Sequence, residues 1–158
     1  MNFFPYRKKQ KPAYESLSDK LLHALKPTRC KRLLLLEDDK NWSDLIREFS
    51  ANYEVEFVNS VTSGYAKQLM DRNGPFDAII IDVGVVNGDG IAFYRWLKQY
   101  HPEAQVVFLT GASIDDVSRK INMVGSAPIY LKEAFIVPAF IDDIFQRLGA
   151  KLKPSLHL

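Results

Sequence analysis

The tightest constraint on this chain is a rhythm. Five short apolar runs, at residues 32–37, 54–58, 76–81, 104–109 and 128–131, are each followed by a stretch with helical character. The run at 76–81 says most: Phe-Asp-Ala-Ile-Ile-Ile, ending directly against Asp82. An Ile-Ile-Ile segment suits a strand buried on both faces, since neither side offers a polar edge to water. The links between runs are too long for hairpins, so successive strands must be joined by crossovers and lie parallel. The prediction is an α/β fold, a doubly wound five-stranded parallel sheet with helices on both faces.

The intervening stretches support this. Residues 41–50 place Trp42, Leu45, Ile46 and Phe49 at i, i+3, i+4 and i+7, one face of a helix. Residues 61–71 align Val61, Tyr65 and Leu69, with Asn59 or Ser60 available as a cap. Residues 91–100 are apolar nearly all round and predict deep packing. Ser113 is placed to cap a helix carrying Ile114, Val117, Ile121 and Val124. The last helix is expected at 134–148, where Pro138 is tolerable only near the start. Upstream, Leu17, Leu21, Leu22 and Leu25 share one side of a predicted short helix at 17–25, ended by Pro27.

Charge divides the chain where this rhythm begins. Residues 1–32 hold nine Lys/Arg and two acids, net +7; the remainder holds twelve and seventeen, net −5. The expected organisation is a basic N-terminal extension at 1–31, a domain at 32–150 and a C-terminal tail at 151–158. The longest apolar runs fall far short of the roughly 18 residues a membrane span needs, so no membrane insertion is expected. Residues 1–10 carry basic residues with no apolar core after them, so no secretory signal is expected. The single cysteine, Cys30, fits a reducing cytoplasm, and the Cys and His spacing suggests no zinc site.

In an open parallel sheet, ligands bind beyond the carboxyl ends of the strands. Here those ends carry Glu37, Asp38 and Asp39 after the first run, Asp82 after the third, Thr110 after the fourth and Lys132 after the fifth. Carboxylates gathered in one cleft repel one another and call for a hard cation; Mg²⁺, which takes oxygen ligands, suits them. Asp82, ending a buried strand, is a candidate nucleophile toward phosphorus, with Thr110 and Lys132 as donors to the phosphoryl oxygens. Taken singly, each residue reads as a turn former, a cap or a surface charge. Their placement on four strand ends is what favours a site.

These residues resemble the response-regulator receiver family of two-component signalling, whose chemotaxis-type members consist of the receiver alone. The resemblance covers residues 31–148. Leu33-Leu-Leu-Leu-Glu-Asp-Asp39 is similar to the family's first strand with its acidic pair, which implies metal-binding roles for Asp38 and Asp39. Asp82-Val-Gly-Val-Val-Asn-Gly-Asp-Gly90 resembles the phosphoacceptor loop, which implies Asp82 as phosphoacceptor and Gly84 as a carbonyl ligand of the metal. Leu109-Thr110-Gly111 resembles the switch-hydroxyl motif, and Lys132 follows Thr110 by the family's 22 residues. The resemblance implies a flavodoxin-like (βα)₅ fold and Mg²⁺. As partners it implies a sensor histidine kinase or histidine phosphotransfer protein, and a downstream protein it does not name. Homodimers belong to the same expectation.

Three positions depart from the pattern: Val86 and Glu133 stand where the family has proline, and Ile129 where it has its switch aromatic. Tyr130 lies one place later, which points its ring to the other face of a strand. A cis bond after Lys132 is not expected without the proline.

The favoured function is a receiver that accepts a phosphoryl group on its own Asp82 and otherwise catalyses nothing. The alternative is a phosphorylation-independent scaffold or adaptor. A phosphatase built on an Asp nucleophile ranks low, because Gly84 occupies the place of its second Asp. Only ten residues follow Leu148, so a helix-turn-helix output is not expected, and nucleic acid is not an expected partner.

Overall fold

The computed structural model describes residues 30–85, 89–133 and 136–154. Five strands alternate with five helices: β1 Lys31–Leu36, α1 Lys40–Ser50, β2 Val55–Ser60, α2 Ser63–Asn73, β3 Ala78–Asp82, α3 Gly90–Tyr100, β4 Gln105–Thr110, α4 Ile114–Asn122, β5 Ile129–Leu131 and α5 Val137–Leu148. All neighbours are parallel in the order β2-β1-β3-β4-β5. The sheet is flavodoxin-like and doubly wound, and the strand order reverses between β1 and β3. The predicted extra helix at 17–25 lies outside the described residues, as does Val86.

Strand alternation sorts the core into two layers. Leu34, Leu36, Ile79, Ile81 and Phe108 point to one face and pack with Ala66 and Leu69 of α2, Phe93 and Tyr94 of α3, and Val117 and Ile121 of α4. Leu33, Leu35, Ile80, Val107 and Leu109 point to the other, against Ile46 of α1 and Phe140, Ile141, Ile144 and Phe145 of α5. Both faces of β1 and β3 are therefore dry, which is why their sequences read as unbroken apolar runs rather than alternating ones. Each fully buried Leu or Ile contributes roughly 1.5–3 kcal/mol by leaving water.

Several boundaries move. β2 continues through Ser60, so the residues expected to cap the next helix stay in the strand; Thr62 caps α2 instead, its side chain accepting from Tyr65 N at 3.2 Å. The expected stripe of Val61, Tyr65 and Leu69 is corrected to Ala66, Leu69 and Met70, and Val61 and Tyr65 are exposed. Val61 precedes the helix, so helical spacing counted from it starts in the wrong frame. Ser113 occupies the N-cap of α4 without a side-chain capping bond. Val124 lies past the end of α4 and is half-buried. At the far end, residues 151–153 turn back along 52–54: Glu54 N donates to Lys151 O at 2.7 Å and Lys153 N to Asn52 O at 2.8 Å. The cis peptide bond among the described residues is Gly74–Pro75, not one beside Lys132.

Candidate functional site

Register builds the site. Leu36 pairs with Ile81, so the next residues, Glu37 and Asp82, emerge side by side from adjacent strands. Glu37 has the parity of Leu33 and Leu35, and Asp82 that of Ile80, so both side chains turn toward the α1/α5 face. Glu37 is wholly buried and Asp82 is 4 % exposed. Two carboxylates at that depth need compensation. Lys132, just past β5, supplies part of it: its Nζ lies 2.7 Å from Glu37 Oε2 and 3.2 Å from Asp82 Oδ2.

The remaining oxygens are held by backbone. Asp39 N donates to Glu37 Oε1 at 2.9 Å, and Gly84 N donates to Asp82 Oδ1 at 3.2 Å. Glu37 Oε2 is met by the Lys132 ammonium at 2.7 Å. Burial pushes the Glu37 carboxyl above its usual range; the Lys132 bond and the Asp39 N–H oppose this, and the charge of Asp82 adds to it. Burial also works against the Lys132 ammonium, but the bond to Glu37 and the charges of Asp82 and Glu37 outweigh it. Lys132 therefore keeps its proton beyond the ordinary lysine range.

Of the residues the sequence singled out, Asp38 and Asp82 come together with Glu37: ligand oxygens of the three lie within 4.8 Å of one another. Asp39 does not join them. Its side chain caps α1, accepting from Asn41 N at 2.8 Å. An N-cap must point back at the helix's first amides, which turns Asp39 away from the cleft. Glu37 is the third carboxylate of the group instead. A signal for this was available: Glu37 directly follows four leucines and continues their strand, whereas Asp39 stands where a helix begins.

Thr110, 2 % exposed, ends β4 beside these residues; its hydroxyl accepts from Ala112 N at 3.0 Å and its carbonyl from Lys132 N at 2.8 Å. Gly84 sits in the turn after β3. Gly90 starts α3 close beneath that turn: a Cβ there meets Asp82 O at 2.7 Å and Val83 Cα at 3.0 Å. Ile129 packs on the layer covered by α2, α3 and α4. Tyr130 faces the opposite layer, its ring 5.3 Å from Phe140 and its hydroxyl donating to Asp143 at 3.0 Å. The one-residue displacement does put the ring on the other side of the sheet.

The family model described as the response regulator receiver domain matches residues 33–134. The chain belongs to the response-regulator receiver family. Its relative RprY of Bacteroides fragilis, a transcriptional regulatory protein, is 26 % identical over 130 residues, which cover 78 % of this chain. The receiver spans about half (53 %) of that relative's length. Among solved structures, the phosphorylated cyanobacterial phytochrome response regulator RcpA superposes with a TM-score of 0.69 at 20 % identity, covering 78 % of this receiver and 99 % of RcpA. A response regulator from Thermotoga maritima superposes at 0.64 with 12 % identity, covering 75 % and 98 %. At such identities the likeness establishes the fold. No helix among the described residues is long and apolar enough to cross a membrane.

Proposed function

We propose that this receiver accepts a phosphoryl group on Asp82 from a phosphohistidine of a sensor histidine kinase or histidine phosphotransfer protein. An oxygen of the Asp82 carboxylate attacks phosphorus as the P–N bond breaks. The electron pair returns to the imidazole nitrogen, which takes up a proton, and an acyl phosphate remains on Asp82. The observation that carries this reading is a buried carboxylate at the end of β3 with the Lys132 ammonium against it and two further carboxylates close by.

The donor set fits Mg²⁺. Glu37, Asp38 and Asp82 offer hard oxygens, Glu37 Oε2 has only an ammonium against it, and the resemblance adds the Gly84 carbonyl. When bound, Mg²⁺ supplies positive charge where phosphoryl oxygens and carboxylates meet. Asp38, Asp82 and Gly84 thus keep the metal roles the resemblance implies, and Glu37 stands in for Asp39. The residues do the rest: β3 holds Asp82 rigid, while the Lys132 ammonium and the Thr110 hydroxyl receive the phosphoryl oxygens. Drawing those two groups inward moves the ends of β4 and β5 and biases the surface of α4 and α5 toward a downstream protein. With Ile129 in place of an aromatic and Tyr130 tied to Asp143, the rearrangement is small. A reducing cytoplasmic setting fits the single cysteine.

Incubation with Mg²⁺ and a small phosphodonor, read by intact mass, tests the assignment. Wild type gains one phosphate, Asp82→Asn gains none, and Asp89→Asn, altered at the α3 cap, still gains one. Labelling that survives Asp82→Asn removes Asp82 as acceptor.

A further inference from the structure

Three groups surround the Lys132 ammonium: Glu37 Oε2, Asp82 Oδ2 and, 5.5 Å away, the ring centroid of Trp42 in the first turn of α1. The first two belong to carboxylates that, with Asp38, could hold a divalent cation. A cation entering among Glu37, Asp38 and Asp82 competes with Lys132 for the Glu37 and Asp82 carboxylates, and two positive centres on shared groups repel each other. The ammonium then has to give up Glu37 without leaving the acceptor. On the proposed reading of the site, it must also remain to meet the phosphoryl oxygens.

The Trp42 ring face is where it can wait. An aromatic face is electron-rich, and indole is the best of the three rings at holding a cation within about 6 Å. A ring attracts the ammonium without carrying a formal charge, so it holds Lys132 in place and leaves the carboxylates to the metal. Trp42 is half-buried and packed against the α1/α5 layer, so its plane is fixed by the core rather than by Lys132. The other cation–ring contacts among the described residues, such as Lys67 over Trp96 and Lys98 over Tyr94, involve none of Glu37, Asp38, Asp82 and Lys132. We propose that Trp42 is a positioning residue, whose ring retains the Lys132 ammonium beside Asp82 when metal binding displaces it from Glu37. This rests on the phosphoacceptor reading and adds to it a residue not named in that reading.

The test uses the full chain with Trp96→Phe as background, so that Trp42 is the only tryptophan. Adding Mg²⁺ alone should quench Trp42 emission as the ammonium moves onto the ring, and the Lys132→Met variant should lose that change. In the wild-type background, Trp42→Leu should slow phosphate gain from a small phosphodonor by about fivefold, the scale of one cation–π contact. Trp42→Phe should return the rate to within twofold of wild type. Emission that ignores Mg²⁺ in chains where Mg²⁺ raises the melting temperature overturns the proposal. So does a Trp42→Leu protein as fast as wild type, or a Trp42→Phe protein as slow as Trp42→Leu. If wild type gains no phosphate, the phosphoacceptor reading fails, and the emission change, which needs no donor, still decides the role of Trp42.

Discussion

At the amino ends of the strands, Arg32 meets an acceptor in every direction. Its Nε lies 2.8 Å from Glu56 Oε2, its guanidinium reaches the carbonyls of Asn73 and Pro75, and it stacks 4.4 Å from the Phe76 ring centroid. Its backbone N–H donates to Asp77 Oδ2 at 2.8 Å. At the carboxyl ends, Lys132 pairs with both Glu37 and Asp82, with Asp38 close by. Both ends use the same residue types. At one end cation and acceptors are matched, and the cluster ties β1 and β2 to the approach of β3. At the other, two buried carboxylates face one ammonium among the described residues, and on the proposed reading the excess is stability given up for a ligand. A matched cluster holds a fold together, whereas an unmatched one is held together by the fold.

The largest effects should separate the two ends. Arg32→Ala leaves three acceptors without their donor and is expected to cost about 2 kcal/mol, with phosphate gain unchanged. Asp82→Asn, which lowers the charge crowding, is expected to abolish phosphate gain while the metal-free protein melts no lower than wild type. Chemical melts beside intact-mass labelling check both. An Arg32→Ala protein that folds but does not label would erase the distinction.

Gly90 extends the comparison to backbone. A methyl group there meets the Asp82 carbonyl at 2.7 Å, and backbone cannot step aside as the end of a flexible side chain can. Gly90→Ala should cost roughly 1–3 kcal/mol. Because the displaced atoms belong to Asp82 and Val83, labelling should slow as well, unlike in Arg32→Ala. A stable Gly90→Ala protein labelling at the wild-type rate would show that the turn after β3 has slack.

The metal response sharpens the carboxyl end itself. On the proposed reading Mg²⁺ binds the folded chain, so it should raise the melting temperature. Glu37→Gln should shrink that rise markedly. Asp39→Ala should preserve it, while lowering stability by about 1 kcal/mol through loss of the α1 cap. The reverse ranking would restore Asp39 to the ligand set and remove Glu37.

The contrast also explains what the sequence made legible. A parallel sheet with two covered faces follows from runs such as 33–36 and 78–81, because a strand buried on two faces has no freedom in its pattern, whereas the strand order comes only with the family resemblance. Asp82, Thr110 and Lys132 were legible because each ends such a run. Asp39 reads as part of an acidic pair, and the structure gives its side chain to the α1 cap. An Asp at a strand end and an Asp at a helix start look alike in sequence, and only the direction of the chain after Glu37 tells them apart. The Lys132–Trp42 contact was not legible at all. It joins residues 90 positions apart, and the periodicity of α1 registers Trp42 only as core.

The smallest expected effect belongs to the amino end, where Tyr53 sits just before β2. Tyr53 is buried, its ring 4.6 Å from Phe145, and its hydroxyl donates to Asp142 of α5. Burial, then the Asp142 bond and charge, push its pKa from 10.0 up to about 12. The folded state therefore keeps a proton that the unfolded state releases first. The stability this contributes is whole below pH 10 and is lost as pH climbs from 10 toward 12. Tyr53→Phe has no proton to lose. It should start lower at pH 8 by about 1 kcal/mol, the worth of one hydrogen bond. Wild type should then fall toward it as the pH passes 10. Lys132 and Tyr130 also titrate at alkaline pH, but they are common to both proteins and cancel in the difference. Melting midpoints between pH 8 and pH 11.5 measure the gap, and a gap that stays constant shows that Tyr53 titrates as it does in the unfolded chain. Phosphate gain at pH 8 should be equal in the two proteins, because Tyr53 belongs to the matched end of the sheet.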